Sequence, residues 1–353
     1  MFIQILKPRK GKKFLLLRKK ENTLLTLSMG TAIRASIIHE MKQNPNIFVM
    51  GQDITVQGGS NRILKNLYKI FGENRVIDTP VSENQLLGMA TGAAMCGLVP
   101  IVEMLFSDFI GCAGDFIINQ IPKLRYMFNG QTSLPITLRL ACGAGFQTAA
   151  QHSQSLEAFF VHLPGWKVVY PSNAEDAMGL LITAIKDDNP VVFFEHKKLY
   201  NLAGEIHKIY SEIPFGKGKI LREGSEITIV ATGYCVHKTI MAIEHFERKS
   251  IEIIDPRTLF PLDKELIYES IKKTHSVIIV TEETKRGAWS AELASCIVED
   301  IFEYLFAPVI RVGALNTPIP FSEELEKYVL PSVKDIIEAI KKIKKWRKEH
   351  GNK

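Results

Sequence analysis

The sequence predicts an α/β protein built from two doubly wound parallel-sheet domains. Three observations carry this. Short apolar runs alternate along the chain with longer segments of helical spacing. Most runs stop at Gly, Asp, Asn or Pro, the turn chemistry of strand ends. The length of 353 residues suits two ordinary domains, and 46% apolar residues can fill two cores. Alternation of this kind implies parallel strands covered by helices on both faces.

Charge separates the ends from the body. Residues 1–20 hold eight Lys or Arg and no acid, and residues 341–353 hold seven against one acid. Setting both aside leaves 29 basic and 37 acidic residues, so the overall +6 belongs to the ends. Residues 1–22 therefore read as a basic mobile arm and 341–353 as a basic tail. An acidic body argues against a nucleic-acid-binding face. The apolar stretch at 14–17 is too short for a signal-peptide core, and an organellar presequence in 1–22 stays open although serines are missing there. No run of 18 uncharged apolar residues exists, so no membrane span is expected. Five cysteines without CxxC spacing fit free thiols of a reducing, cytoplasmic compartment.

The first domain is expected over 23–201. A helix is read over 23–39 and a buried strand over 47–50, which ends in Gly51-Gln52-Asp53. Gly58-Gly59 marks a loop and 61–71 a helix. The strand 75–77 stops at Asp78-Thr79-Pro80, and Ser82 offers an N-cap to the helix that follows. That helix carries Gly88, Gly92 and Gly97, each costing about 1 kcal/mol relative to alanine, so close approach of another backbone is expected. A strand at 98–104 completes the unit. Glu83 stands where strand becomes helix, the edge at which open α/β sheets bind ligands. A carboxylate between apolar elements is poorly solvated and suited to proton transfer; equally, a glutamate in a first turn is favoured by the helix dipole.

Phe109 follows Asp108, and 117–126 reads as a helix. The strand 135–140 leads into a glycine loop at 141–146, then to His152 in AAQHSQS, a polar setting where a histidine faces solvent or substrate. A helix starts at 156, a strand covers 165–170, and Asn173 caps the next helix. The turn at 184–189 holds Ala184, Asp187 and Asn189, oxygen-bearing groups that suit either a hard cation or an ordinary turn. A strand at 190–195 follows. Residues 202–223 lack periodicity and read as a linker. The second domain, 224–340, alternates strands at 226–231, 251–254, 276–281 and 309–312 with helices at 236–246, 263–273, 290–305 and from 332.

Several stretches together carry a resemblance: FVMGQD at 48–53, RVIDTPVSE at 75–83 and GAAMCGLVPIVE at 92–103. AAQHSQSLEAFF at 149–160, HLPGWKVVYPSNAEDAMGLL at 162–181, DDNPVVFFEHKKLY at 187–200 and IDPRTLFPLD at 254–263 continue it. In this order and spacing, over about 24–340, the chain resembles the beta subunit of the thiamine-diphosphate-dependent decarboxylase component of 2-oxoacid dehydrogenase complexes. These belong to the transketolase-like superfamily.

The resemblance implies a pyrimidine-binding domain followed by a transketolase C-terminal-like domain. It assigns Glu83 to the distal pyrimidine nitrogen of thiamine diphosphate, Gln52 to the cofactor's surroundings and Phe109 to its pyrimidine ring. His152 is assigned to acyl handling, and the oxygens of Ala184, Asp187 and Asn189 to a monovalent cation, usually K+. The superfamily's GDG…N anchor for diphosphate and Mg2+ is missing here. An alpha subunit is therefore expected to bring it, in a heterotetramer of two alpha and two beta chains. The second domain is expected to dock on a dihydrolipoamide acyltransferase core. Pyruvate or acetoin is favoured over a branched-chain acid. Gln52 replaces the family's usual acid, and Asn84-Gln85, Leu140-Ala141 and Pro256 also depart from its pattern. These departures keep open a two-subunit non-redox or acyloin-forming biosynthetic enzyme. A transketolase-like sugar transferase would normally carry its own diphosphate domain, and Glu83 argues against a catalytically silent pairing subunit.

Overall fold

The computed structural model describes residues 25–247 and 249–351. The basic arm expected over 1–22 lies outside them. The leucine-rich start read as helix is instead a strand, β1 (Leu25–Ser28), because its edge pairs antiparallel with residues 203–206. Pairing across the fold overrides leucine's helical preference. Ser28 ends the strand and caps α1 (Met29–Gln43), accepting from the Thr31 N–H.

The first sheet contains β2 (Ile47–Gly51), β3 (Val76–Asp78), β4 (Val99–Met104), β5 (Thr137–Cys142), β6 (Lys167–Val169) and β7 (Val191–His196). All are parallel, in the order β6-β7-β5-β4-β2-β3. The chain runs outward from β2 to β3 and then returns to β4 on the other side, which makes β2 the switch point. Helices α2 (Leu67–Phe71), α3 (Glu83–Met95), α4 (Ile121–Met127), α5 (Glu157–His162) and α6 (Ala174–Ile185) connect the strands. The single helix expected over 61–71 is broken: Asn61, Arg62 and Asn66 have positive φ, and only α2 is regular. The capping expected of Ser82 and Asn173 is present, each side chain accepting from the N–H three residues on.

The glycines of α3 differ from expectation. Gly97 lies beyond the helix at φ 86°, where a left-handed residue ends it. A Cβ on Gly88 would lie 2.9 Å from the Phe116 ring, so a side chain rather than a backbone packs there.

The stretch 202–223 is not an irregular linker. It contributes β8 (Ala203–Ile206), the partner of β1, and β9 (Lys219–Arg222), an antiparallel edge of the second sheet. That sheet adds β10 (Ile227–Ala231), β11 (Ile251–Asp255), β13 (Val277–Thr284) and β14 (Ile310–Ala314), in the order β14-β13-β10-β11-β9. Its helices are α7 (Tyr234–Ile243), α8 (Lys264–Thr274), α9 (Trp289–Ile301), α10 (Glu323–Val329) and α11 (Val333–His350). The basic tail expected from 341 is the last part of α11: Ile336, Ala339, Ile340 and Ile343 bury one stripe while the lysines stay outside. Between β11 and α8, β12 (Thr258–Phe260) crosses to the first sheet and pairs antiparallel with β6. One core runs across both halves, with Phe160, Trp166 and Phe194 in the same cluster as Ile254, Trp289 and Leu293. No helix among the described residues is long and apolar enough to cross a membrane.

Candidate active site

The C-terminal edge of the first sheet gathers polar groups from the strand ends and from the loops that follow them. Parallel register puts Gly51 of β2 opposite both Asp78 of β3 and Glu103 of β4. The Ile54 N–H donates to Asp78 Oδ1 at 2.6 Å, which folds the loop after β2 back over the edge. Glu83 is the first residue of α3 and is only 8% exposed. Gln52, also buried, donates through Nε2 to Glu83 Oε1 at 3.2 Å. Glu83 Oε2 has no donor among the described residues, and on the loop before α3 the Thr79 hydroxyl is buried without a partner. A carboxylate oxygen left open in this way fits a ligand that carries its own N–H groups.

Below this edge lies a buried ion triad. Arg139 on β5 donates to Glu103 Oε2 (2.7 Å) and, through two nitrogens, to both oxygens of Glu195 on β7 (2.7 and 2.8 Å). Tyr200 donates to Glu195 at 2.7 Å, and the Ser60 N–H to Glu103 at 2.5 Å. Burial pushes Glu103 up from the ordinary carboxyl range, partly offset by Arg139. Burial works against the Arg139 charge, but the two carboxylates more than restore it. The triad ties three adjacent strands to the loop that carries Gln52.

Phe109 lies in a tight turn after β4, half-buried against the core. Its ring meets the His152 ring edge-on, with centroids 5.5 Å apart, and Phe106 meets His152 at 4.8 Å. The structure thus joins Gln52 to Glu83, and Phe109 to His152. Asp108 and Lys197, neither singled out from sequence, fix the segment around the histidine. Asp108 Oδ1 accepts from the Ser153 and Gln154 N–H groups at 3.2 Å each, and the Lys197 ammonium donates to the His152 carbonyl. An acid beside the DF aromatic was the only sequence signal for the first.

The turn 184–189 is elsewhere, at the edge where β5 and β7 begin. Its side-chain oxygens are engaged by the protein itself. Asp187 Oδ2 takes the Lys167 ammonium, its Oδ1 takes the Asn189 N–H at 2.9 Å, and Asn189 Oδ1 takes Arg125 at 2.8 Å. Asp187 and Asn189 thus use side-chain oxygens within the protein, the Ala184 carbonyl accepts from the Lys186 and Asp187 N–H groups, and a cation on the oxygens of Ala184, Asp187 and Asn189 stays a proposal. Among the described residues no group of three or more His, Cys, Asp or Glu could hold a metal.

Known proteins share this architecture. Residues 26–203 match the transketolase pyrimidine-binding domain and 216–336 the transketolase C-terminal domain. The chain is 42% identical over 325 residues to the beta subunit of acetoin:2,6-dichlorophenolindophenol oxidoreductase of Bacillus subtilis (strain 168), covering 88% of this chain and 95% of that one. It is 42% identical over 321 residues to the pyruvate dehydrogenase E1 component subunit beta of Rickettsia felis, covering 90% and 98%. It is again 42% identical to the 2-oxoisovalerate dehydrogenase subunit beta of Bacillus subtilis, covering 86% and 94%. A solved split-gene transketolase, described as an inactive beta4 tetramer, superposes with a TM-score of 0.74 at 22% identity, covering 90% and 98%, which is a likeness of fold. Equal identity to three relatives with different substrates marks the family and leaves the substrate to the site. This chain belongs to the beta subunits of the thiamine-diphosphate-dependent, transketolase-like 2-oxoacid dehydrogenases.

Proposed function

We propose that this chain supplies the pyrimidine half of a thiamine diphosphate site in a 2-oxoacid dehydrogenase and acts with an alpha subunit on pyruvate or acetoin. The observation that carries the reading is Glu83: a buried carboxylate at a strand-to-helix junction, one oxygen held by Gln52 and the other open. Thiamine diphosphate supplies the electron sink that cleavage next to a carbonyl requires. Glu83 holds and returns the proton of the distal pyrimidine nitrogen. Gln52 orients that carboxylate without adding charge. Phe109 offers a ring face, worth about 1 kcal/mol beyond its burial. His152, with its main chain fixed by Asp108 and Lys197, steers the acyl group toward lipoamide.

The rest of the assembly follows from the chemistry that this chain omits. Without a GDG motif it lacks the oxygen cluster that holds Mg2+ and diphosphate. In this reading the alpha subunit brings both, in a complex of two alpha and two beta chains located in the cytoplasm, and the second domain docks on the acyltransferase core. The isolated chain is then expected to show no micromolar binding of thiamine diphosphate with Mg2+ by calorimetry. Mixed with its alpha subunit it should bind, and turn over pyruvate or acetoin in a panel of 2-oxoacids. Tight binding by the lone chain would overturn the reading.

A monovalent cation at 184–189 is part of this proposal, held by carbonyl or side-chain oxygens of Ala184, Asp187 and Asn189. Binding to the folded state alone raises stability by mass action. The melting temperature should be higher in potassium than in a bulky organic cation at equal ionic strength. Superimposable melting curves at saturating potassium would remove the cation.

A further inference from the structure

The segment 143–158, which carries His152, has little regular structure with which to hold itself. Gly143, Gly145, Gln147 and Ala149 all have positive φ, at 82°, 100°, 50° and 61°. Left-handed turns in succession point backbone N–H groups away from the segment, so something else must accept from them. Three carboxylates of the second domain do so. Glu282 accepts from the Ala144 N–H at 2.8 Å. Glu326 accepts from Gly145 at 2.8 Å through one oxygen and from Gln147 at 3.3 Å through the other. Glu283 accepts from Ala158 at 2.8 Å.

Glu326 is the telling member. It is 1% exposed on a short helix, α10, whose other acids, Glu323 and Glu324, face outward. A buried carboxylate is costly unless its oxygens are satisfied, and both of its oxygens are given to the segment five to seven residues before His152. Asp108 and Lys197 of the first domain grip the other side, at His152 to Gln154. The histidine therefore sits between a clasp from its own domain and a clasp from the second.

We propose that Glu326, assisted by Glu282 and Glu283, is a positioning residue: the second domain sets where His152 stands against Phe106 and Phe109. The inference rests on the reading of His152 as the acyl-handling residue. It gives the second domain a part in the reaction beyond docking. Glu282 is suited to its share, because the His196 ring and Lys238 hold it well below the usual carboxyl range against the effect of burial.

The test uses the assembled alpha–beta complex with Glu326→Gln, and with Glu324→Gln on the outward face of the same helix as control. A small misplacement of a reacting group typically costs up to about 10²-fold. Acyl transfer to lipoamide should fall roughly 10- to 100-fold in Glu326→Gln, with deuterium exchange at the thiazolium carbon nearly unchanged and the Glu324 control like wild type. Amide hydrogen exchange over 143–152 should quicken while β10 and β13 stay protected. Glu283→Gln, which disturbs the Ala158 N–H and also the Trp289 N–H at the start of α9, should give the same pattern more weakly. Equal loss of both reactions, unchanged acyl transfer, unchanged amide exchange, or failure of both variants to fold would each overturn the proposal. A wild-type complex that turned over no 2-oxoacid would refute the reading of His152 instead, and the amide exchange would still decide whether Glu326 holds the segment.

Discussion

Glu83→Gln is expected to lower turnover of the alpha–beta enzyme by roughly 10²–10⁴-fold, the usual worth of acid–base assistance, while the fold survives. The exchange leaves no cavity, and the new amide can turn its oxygen toward Gln52 Nε2, which now donates to Glu83 at 3.2 Å. An extra donor at the open position costs at most about 1–3 kcal/mol if nothing accepts from it. A glutamate that merely favours a helix start predicts about 1 kcal/mol of stability and no catalytic defect. Steady-state rates on the purified complex, with circular dichroism and melting of the variant, separate the two.

Arg139→Leu is expected to give the largest loss of stability. The guanidinium is 1% exposed and bridges Glu103 and Glu195, which are 3% and 1% exposed. Its removal strands two carboxylates in the core, and breaking a buried pair from one side typically costs about 3–5 kcal/mol. The loosened Glu103 also releases the Ser60 N–H, so the loop carrying Gln52 frees with it. The sign of the pH dependence identifies the cause. Burial already raises Glu103 in the native protein, and without Arg139 its folded-state value rises further above the unfolded one. The folded variant then binds more protons than the unfolded chain, so its stability is greatest below the ordinary carboxyl range and falls as pH rises. Denaturant melts at pH 5 and pH 8 should show the defect shrinking at pH 5. A defect independent of pH would point to lost packing instead.

What was legible in the sequence was local. Ser82 and Asn173 announce their helices because a cap needs only the N–H three residues away, and the alternation of strands and helices needs only neighbouring residues. What was missed depends on distant partners. β1 is a strand because residues 203–206 lie beside it, and β12 joins the first sheet because Val168 and Val169 offer an edge some ninety residues earlier in the chain. The lysines over 341–353 read as a tail, since composition hides the sparse stripe of Ile336, Ile340 and Ile343 that buries α11. Glu83, Gln52, Phe109 and His152 stand out as candidates through the motifs around them. Arg139 and Glu326 carry no such signal, because their partners come from other strands or from the other domain.

The measurement closest to the central claim is deuterium exchange at the thiazolium carbon of thiamine diphosphate bound to the alpha–beta complex, in wild type and in Glu83→Gln. The step precedes substrate, so it does not depend on which 2-oxoacid is used. If Glu83 moves the pyrimidine proton, exchange slows in the variant by the same roughly 10²–10⁴-fold as turnover, with the cofactor still bound. Exchange at the wild-type rate in Glu83→Gln, with cofactor occupancy verified, would contradict the account.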